Sequence, residues 1–384
     1  MEYQRLLKLP ESVSVFLVGP RGCGKSTYLQ HQVPEAFRID LLLSDGVLRY
    51  SANPDRLEGD IKARGCSLIV IDEIQRCPQL LPTIHRLIEA DKSLRFFLTG
   101  SSVRKLRHEA TDLLGGRASL QHLGPFLAAE LSKDWDYARA LQIGTIPLIW
   151  CSPDPTNTLK GYLQVYLRQE IMQEGIVRNL AAFSRFLEVA SMTHAQLWTS
   201  TAIARESGVP RQTVDQYLEV LDELFLGFQI SVFTRRAQRQ LSAHRKFYFT
   251  DAGIFRYLRP VGPLDAPAEI EGAAIEGLVA THLLQWTQRT EERHSLHLWR
   301  TRSGLEVDFV VYGPLSFVAI EVKRSATISP SDLKALRAFH EDYPEASLVC
   351  LYGGKERLQY GPITCLPVGE YLPGIIPGQA LPTG

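Results

Sequence analysis

Apolar residues in the first hundred positions fall in short, nearly unbroken runs that each stop at a small, hydroxyl or acidic residue. Val13–Val18 halts at Gly19, and Leu68–Ile71 halts at Asp72-Glu73. Arg95–Leu98 halts at Thr99-Gly100-Ser101-Ser102, and a shorter run lies at Ile39–Leu42. Runs of this length, rich in β-branched and aromatic residues, read as strands buried on both faces, the habit of a parallel sheet covered by helices. A helical pattern after Thr27 (Tyr28, Leu29, then polar positions) supplies the first crossover.

From Asn157 to about Leu197 the spacing turns helical, with Tyr162, Val165, Tyr166 and Gln169 recurring at three- and four-residue intervals. Thr201–Leu218 then has helix-turn-helix grammar. One short helix ends at Gly208, Pro210 opens the next, and Val214, Leu218 and Leu221 form its apolar stripe. Phe228–Phe233 and Lys246–Asp251 read as the two strands of a hairpin, the wing of a winged helix. Further strands follow at Leu296–Trp299, Glu306–Val311, Phe317–Lys323 and Ser347–Tyr352, with a helix at Ser331–Tyr343. The pattern divides into a nucleotide-type core over 1–150, a helical and winged-helix middle over 151–260, and an α/β domain over 261–366. A Pro/Gly-rich tail, 367–384, is expected to be extended or mobile.

The strand ends carry the chemistry. Gly19-Pro20-Arg21-Gly22-Cys23-Gly24-Lys25-Ser26-Thr27 is a P-loop: glycines let backbone N–H groups turn toward phosphate oxygens at a helix N-terminus. Lys25 is expected on the β/γ-phosphates of ATP and the Ser26 hydroxyl on Mg²⁺. Asp72 and Glu73 close a Walker B pattern, with Asp72 holding Mg²⁺ through water and Glu73 polarising the attacking water. Thr99 or Ser101 is placed to sense the γ-phosphate, and Arg117, after the Gly115-Gly116 turn, is a candidate arginine finger for a neighbour's nucleotide. In the middle, Arg211, Gln212 and Thr213 open the second helix of the helix-turn-helix, where a DNA reader makes its contacts. The hairpin connection carries Arg235, Arg236, Arg239, Arg245 and Lys246 with no acid between Arg235 and Lys246, a pattern suited to a phosphate backbone.

Charge tempers the DNA reading. Forty-two basic and 42 acidic residues leave no global basic field, so nucleic-acid affinity has to come from such local patches. Six scattered cysteines without a C-x-x-C pair argue for a reducing cytoplasm over a disulfide framework or zinc site. No run reaches the ~20 apolar residues of a membrane span, and the first residues do not form a signal peptide.

GPRGCGKST, IVIDEIQRCP, FFLTGSS and GGRA, in that order, resemble the AAA+ ATPases. The similarity is closer to a large prokaryotic family that pairs such a core with a C-terminal domain of unknown function. The resemblance implies a helical lid after the core, in which Arg168 is a candidate second sensor, and ATP bound between subunits of a ring or other homo-oligomer. At the C-terminal end, Asp308 on one strand and Glu321 with Lys323 on the next can meet across the sheet, and Glu276 sits on a preceding helix. Residues two apart on a strand share a face, so Glu321 and Lys323 point together, and two such carboxylates can hold Mg²⁺ beside a lysine. This set is similar to the PD-(D/E)xK nuclease fold. The expectation is a cytoplasmic, Mg²⁺-dependent AAA+ ATP hydrolase acting on DNA, including branched or ended DNA, as an oligomeric motor. Alternatives are an ATP-regulated metal-dependent nuclease, a nucleotide-switched signalling scaffold and a helix-turn-helix transcription regulator.

Overall fold

The computed structural model describes residues 3–102, 117–166, 171, 177, 179–235, 241, 244–263 and 265–384. Two compact units emerge: one from residues 7–124 with 223–225, the other from 1–6, 125–222 and 226–384. Arg168, Gly115, Gly116, Arg236 and Arg239 lie outside the described residues.

The first unit is built on a five-stranded sheet of β1 (Ser14–Val18), β2 (Phe37–Asp40), β3 (Leu68–Asp72), β4 (Arg95–Gly100) and β5 (Ala118–His122). Their spatial order is β2-β3-β4-β1-β5 and every pairing is parallel. Because side chains alternate across a strand, each strand feeds two cores. Phe16 and Val18 join Ile69, Ile71, Phe96 and Leu98 on one face, while Val15 and Leu17 join Val70, Phe97, Tyr28 and Leu29 on the other. This double burial explains the unbroken apolar runs. The second strand lies two residues earlier than its sequence pattern suggests. Asp40 accepts a hydrogen bond from the Leu42 N–H and turns the chain, so Leu42 and Leu43 remain exposed.

The second unit carries a nine-stranded sheet. Its strands are β6 (Gln196–Leu197), β7 (Gly227–Val232), β8 (Lys246–Phe249), β9 (Ser295–Arg300), β10 (Glu306–Tyr312), β11 (Phe317–Lys323), β12 (Ser347–Tyr352), β13 (Leu358–Tyr360) and β14 (Ile363–Pro367). The order is β13-β14-β12-β11-β10-β9-β7-β8-β6. The helix-turn-helix is present as helices Ser200–Ser207 and Arg211–Glu223, separated at Gly208 (φ 66°). Val214 and Leu221 are buried as expected, but Tyr217 and Val220 complete the stripe and Leu218 is only half-buried, because the helix faces the rings of Phe183 and Phe186.

The β7–β8 hairpin forms, yet it is not a free wing. β7 also pairs in parallel with β9 (Ser231 opposite His297, Val232 opposite Leu298), so the hairpin is part of the same sheet as the C-terminal strands. The tail is likewise fixed rather than extended. Val368–Tyr371 is helical, Leu372, Ile375 and Leu381 are buried, and the Trp286 indole N–H donates to the carbonyls of Ile376 and Gln379. The Pro/Gly composition masked these apolar anchors, which supply the burial that ordering a chain end requires.

Candidate active sites

Parallel strands deliver their carboxyl ends to one edge of the sheet, and in the first unit those of β1, β3 and β4 bring the predicted nucleotide residues together. Gly19 (φ 149°), Gly22 (φ 79°) and Gly24 (φ 80°) shape the P-loop between β1 and the helix Lys25–Gln32. A Cβ on Gly19 would lie 2.1 Å from the Leu123 carbonyl oxygen. Gly19→Ala should therefore lower the melting temperature and weaken nucleotide binding by about tenfold or more, since both strain and clash fall on the loop itself. Equilibrium dialysis with ATP checks this, and unchanged affinity would count against the loop's role. The helix after the loop has no side-chain cap, leaving its first N–H groups for an anion. Pro20 and Cys23 are buried, whereas Arg21, Ser26 and Thr27 are exposed. Lys25 is 6% exposed, and its ammonium donates to the carbonyls of Gly19 (2.7 Å) and Pro20 (3.1 Å).

Asp72 Oδ1 accepts from both the Ser26 hydroxyl (3.1 Å) and the Thr99 hydroxyl (2.9 Å), and the Glu73 N–H donates to Thr99 Oγ1. Burial, reinforced by the Glu73 and Asp40 carboxylates, pushes the Asp72 carboxyl above its usual range despite those two hydrogen bonds. A cation at this point relieves that penalty, and a hydroxyl with a carboxylate is the hard-oxygen donor set Mg²⁺ takes, so the residues fit the metal. Glu73 has φ 56°, a left-handed conformation that costs a non-glycine residue on the order of 1–2 kcal/mol. Its carboxylate is held by the Ser101 hydroxyl (2.9 Å) and by the Gln75 amide, which also donates to Ser101. Gln75, buried beside the Walker B acids, was not singled out in the sequence. Its place in DEIQ, two residues beyond Glu73, was the available signal. Arg117 is not at this edge. It precedes β5, whose first residue Ala118 is level with Ser14 at the start of β1, and it pairs with Glu89.

In the second unit, Asp308 and Glu276 of the expected set meet around a lysine together with Glu306, while Glu321 pairs with Lys323. Lys246, read above as one of the wing's unopposed cations, is 3% exposed and thoroughly opposed. Its Nζ lies 2.5 Å from Glu276 Oε1, 2.7 Å from Glu306 Oε1 and 3.1 Å from Asp308 Oδ1. The pairing of β7 with β9 brings the hairpin to β10, which carries Glu306 and Asp308. Glu276 projects from the 23-residue helix Pro267–Arg289 and also accepts from the Tyr248 hydroxyl. Glu306 additionally accepts from Arg300, and Asp308 Oδ2 from the Val322 N–H at 2.9 Å. On β11, Glu321 Oε1 accepts from Lys323, while its Oε2 is buried without a hydrogen-bond partner.

Burial would push the Lys246 ammonium down, but Glu276, Asp308 and Glu306 outweigh it and hold it well above its ordinary range. Burial and the Asp308 charge raise the Glu276 carboxyl to about 7 and push Glu321 well above the usual range. Lys246 Nζ already takes one oxygen each from Glu276, Glu306 and Asp308, so the set as it stands does not fit the Mg²⁺ expected from the sequence at Asp308 and Glu321. Glu306 was legible as the residue two before Asp308, on its strand face; Lys246 and Tyr248 were not.

Of the expected DNA contacts, Arg211 and Gln212 are exposed, Thr213 is half-buried, and Arg211 is 3.9 Å from Asp215 one turn on. Arg235 is exposed with its guanidinium 4.7 Å from the Tyr312 ring centre, and Arg245 is exposed. No described helix is long and apolar enough to cross a membrane.

Family models match three stretches of the chain. Residues 11–132 match the family model described as AAA domain. Residues 134–265 and 271–371 match two domains of unknown function, DUF8612 and DUF4143. Uncharacterized proteins of Mycobacterium bovis and Mycobacterium tuberculosis are each 26% identical over 385 residues, spanning 96% of this chain and 81% of theirs. Among solved structures, a signal transduction ATPase with numerous domains, carrying a tetratricopeptide repeat sensor, from Pyrococcus horikoshii is 11% identical with a TM-score of 0.26. The match covers 74% of this chain and about half (47%) of that one, a likeness too remote to bear on the fold.

Proposed function

We propose that this chain, an AAA-type ATPase with an N-terminal AAA domain and a C-terminal DUF4143 domain, is a Mg²⁺-dependent ATP hydrolase whose turnover is coupled to DNA. The observation that carries hydrolysis is the convergence of Lys25, Ser26, Asp72, Glu73, Thr99 and Ser101 at one sheet edge. The P-loop N–H groups and Lys25 bind the phosphates, Lys25 exchanging its two carbonyl partners for phosphate oxygens. Mg²⁺, held by Ser26 and Asp72, supplies charge neutralisation on the phosphate oxygens. Glu73 takes the proton of the attacking water, and Ser101 with Gln75 fixes its carboxylate for that task. Thr99 ties Asp72 to the Glu73 backbone, so γ-phosphate loss at one residue is felt at the others.

Coupling to DNA is supported by exposed Arg211 and Gln212 at the start of the second helix of the helix-turn-helix, and by exposed Arg235 and Arg245 at the two ends of the hairpin's connection. Arg117, turned away from its own chain's P-loop, remains a candidate for a neighbouring subunit's nucleotide in a homo-oligomer. Steady-state ATPase rates without DNA, and with single strand, duplex and four-way junction at two salt concentrations, test the reading. Stimulation that falls with salt is expected, by about tenfold for a few released phosphate counterions. A rate indifferent to every DNA would sink the DNA half. A second reading, a nucleotide-switched scaffold with a protein partner, is favoured by the exposed Glu219 and Asp222 on that same helix and by the burial of Lys246. It predicts that indifference.

A further inference from the structure

We propose that the Lys246 ammonium is the resident cation of the carboxylate site in the C-terminal unit, standing where a nuclease-type site carries a divalent metal, and that removing it opens the site to a divalent ion. The proposal does not depend on the ATPase reading, since every residue in it belongs to the second unit.

An ammonium has three N–H donors and no acceptor. Lys246 faces three carboxylate oxygens from three different residues, Glu276, Glu306 and Asp308, at 2.5, 2.7 and 3.1 Å. Each donor is thus matched and none is left to reach for an external anion. The site is rigidly built: Lys246 is held in β8, in register with Ile230 of β7 and Leu197 of β6, and Asp308 is fixed through its second oxygen by the Val322 N–H. A side chain so placed does not swing aside as an exposed lysine does.

The charge pattern points the same way. Four carboxylates (Glu276, Glu306, Asp308, Glu321) face the two ammoniums of Lys246 and Lys323 and the Arg300 guanidinium. Glu321, 5% exposed, adds a buried oxygen, Oε2, that has no hydrogen-bond partner. A divalent ion bound to Asp308 beside Lys246 would instead put two cations in contact away from water, which is strongly unfavourable. With the ammonium gone, Glu276, Glu306 and Asp308 lose their shared partner, and Glu321 Oε2 adds a further oxygen donor. That is an all-oxygen set suited to Mg²⁺ or Mn²⁺.

The test uses the full-length, nucleotide-free protein and Mn²⁺, with unbound Mn²⁺ read by electron paramagnetic resonance. Wild type and Asp308→Asn should take up the same amount. Lys246→Ala should gain one site per chain, and Lys246→Ala with Asp308→Asn should lose it again. In Lys246→Ala, Mn²⁺ at a hundredfold excess over its dissociation constant should raise the melting temperature by about 5–10 °C, while wild type stays put. Uptake by wild type that Asp308→Asn or Glu321→Gln abolishes would overturn the proposal, as would a folded Lys246→Ala that gains no site. Should Lys246→Ala fail to fold even with Mn²⁺, the comparison of wild type with Asp308→Asn decides alone: equal uptake upholds the proposal and a missing ion in Asp308→Asn refutes it.

Discussion

Lys25→Ala is expected to reduce ATP turnover to background, a loss of about 1000-fold in kcat. Lys25 is the P-loop cation buried against the loop backbone, where its ammonium donates to the carbonyls of Gly19 and Pro20. Its removal takes away the charge that faces the β/γ-phosphates without disturbing the strands, whose packing lies in the two cores on either side of the sheet. The loss should therefore appear in both nucleotide affinity and turnover, with the far-ultraviolet circular dichroism spectrum unchanged. Glu73→Gln separates the roles: it keeps the hydrogen-bonding shape toward Ser101 but accepts no proton, so ATP binding persists while turnover falls about 100-fold or more. Substantial turnover by Lys25→Ala in a malachite-green phosphate assay would remove hydrolysis at this loop. Loss of binding by Glu73→Gln would move Glu73 from chemistry to architecture.

Why the first site's placement was readable, and much of the second was not, follows from how each is wired. In a parallel sheet the residue after a strand lies at the edge shared by its neighbours, so Gly19, Asp72, Thr99 and Ser101 could be set together from strand ends alone. The fold class followed from the same runs, a parallel sheet, a helical middle and a C-terminal α/β domain, although Ala118–His122, the fifth strand of the first sheet, was not among them. Lys246 obeys no local rule. It lies 62 residues from Asp308 in sequence and reaches it because β7 pairs with β9, a join carried by two residue pairs. Without that join, a lysine next to Arg245 reads as one more wing cation. Arg117 failed to reveal its place for a similar reason, since the turn before β5 does not say which end of the sheet it occupies. The tail shows the opposite error, composition outweighing three buried apolar residues in a segment whose Ile376 carbonyl accepts from Trp286, ninety positions away.

Glu130→Ala is expected to cost the second unit about 3–5 kcal/mol, because it strands charges that the fold has already buried. Glu130 and Arg289 both have fully buried side chains, and Arg5 is only 6% exposed. Glu130 Oε1 accepts from Arg289 and the Leu6 N–H, each at 2.8 Å, and Oε2 from the Leu127 N–H at 2.9 Å, with Arg5 Nε at 3.1 Å. One carboxylate thereby joins the N-terminal segment, the helix Ala128–Leu131 and the end of the long helix Pro267–Arg289. Burial alone would raise its carboxyl, but Arg289, Arg5 and the two N–H groups outweigh it and hold it below the usual 4.5. A group depressed in the folded state stabilises above its unfolded value and loses that contribution as pH falls. Wild type should therefore weaken below about pH 4.5 more steeply than Glu130→Gln, which has no charge to lose. The readout is clean because all five tryptophans, at positions 135, 150, 198, 286 and 299, lie in this unit and none in the other. Tryptophan fluorescence during urea unfolding thus follows one unit of a two-unit chain, where a single global transition cannot be assumed. A midpoint within error of wild type for Glu130→Ala would mean that the buried pair contributes nothing. The expected result is a large shift for Glu130→Ala and a smaller one for Glu130→Gln, whose amide keeps an acceptor for one N–H but leaves two guanidiniums uncompensated.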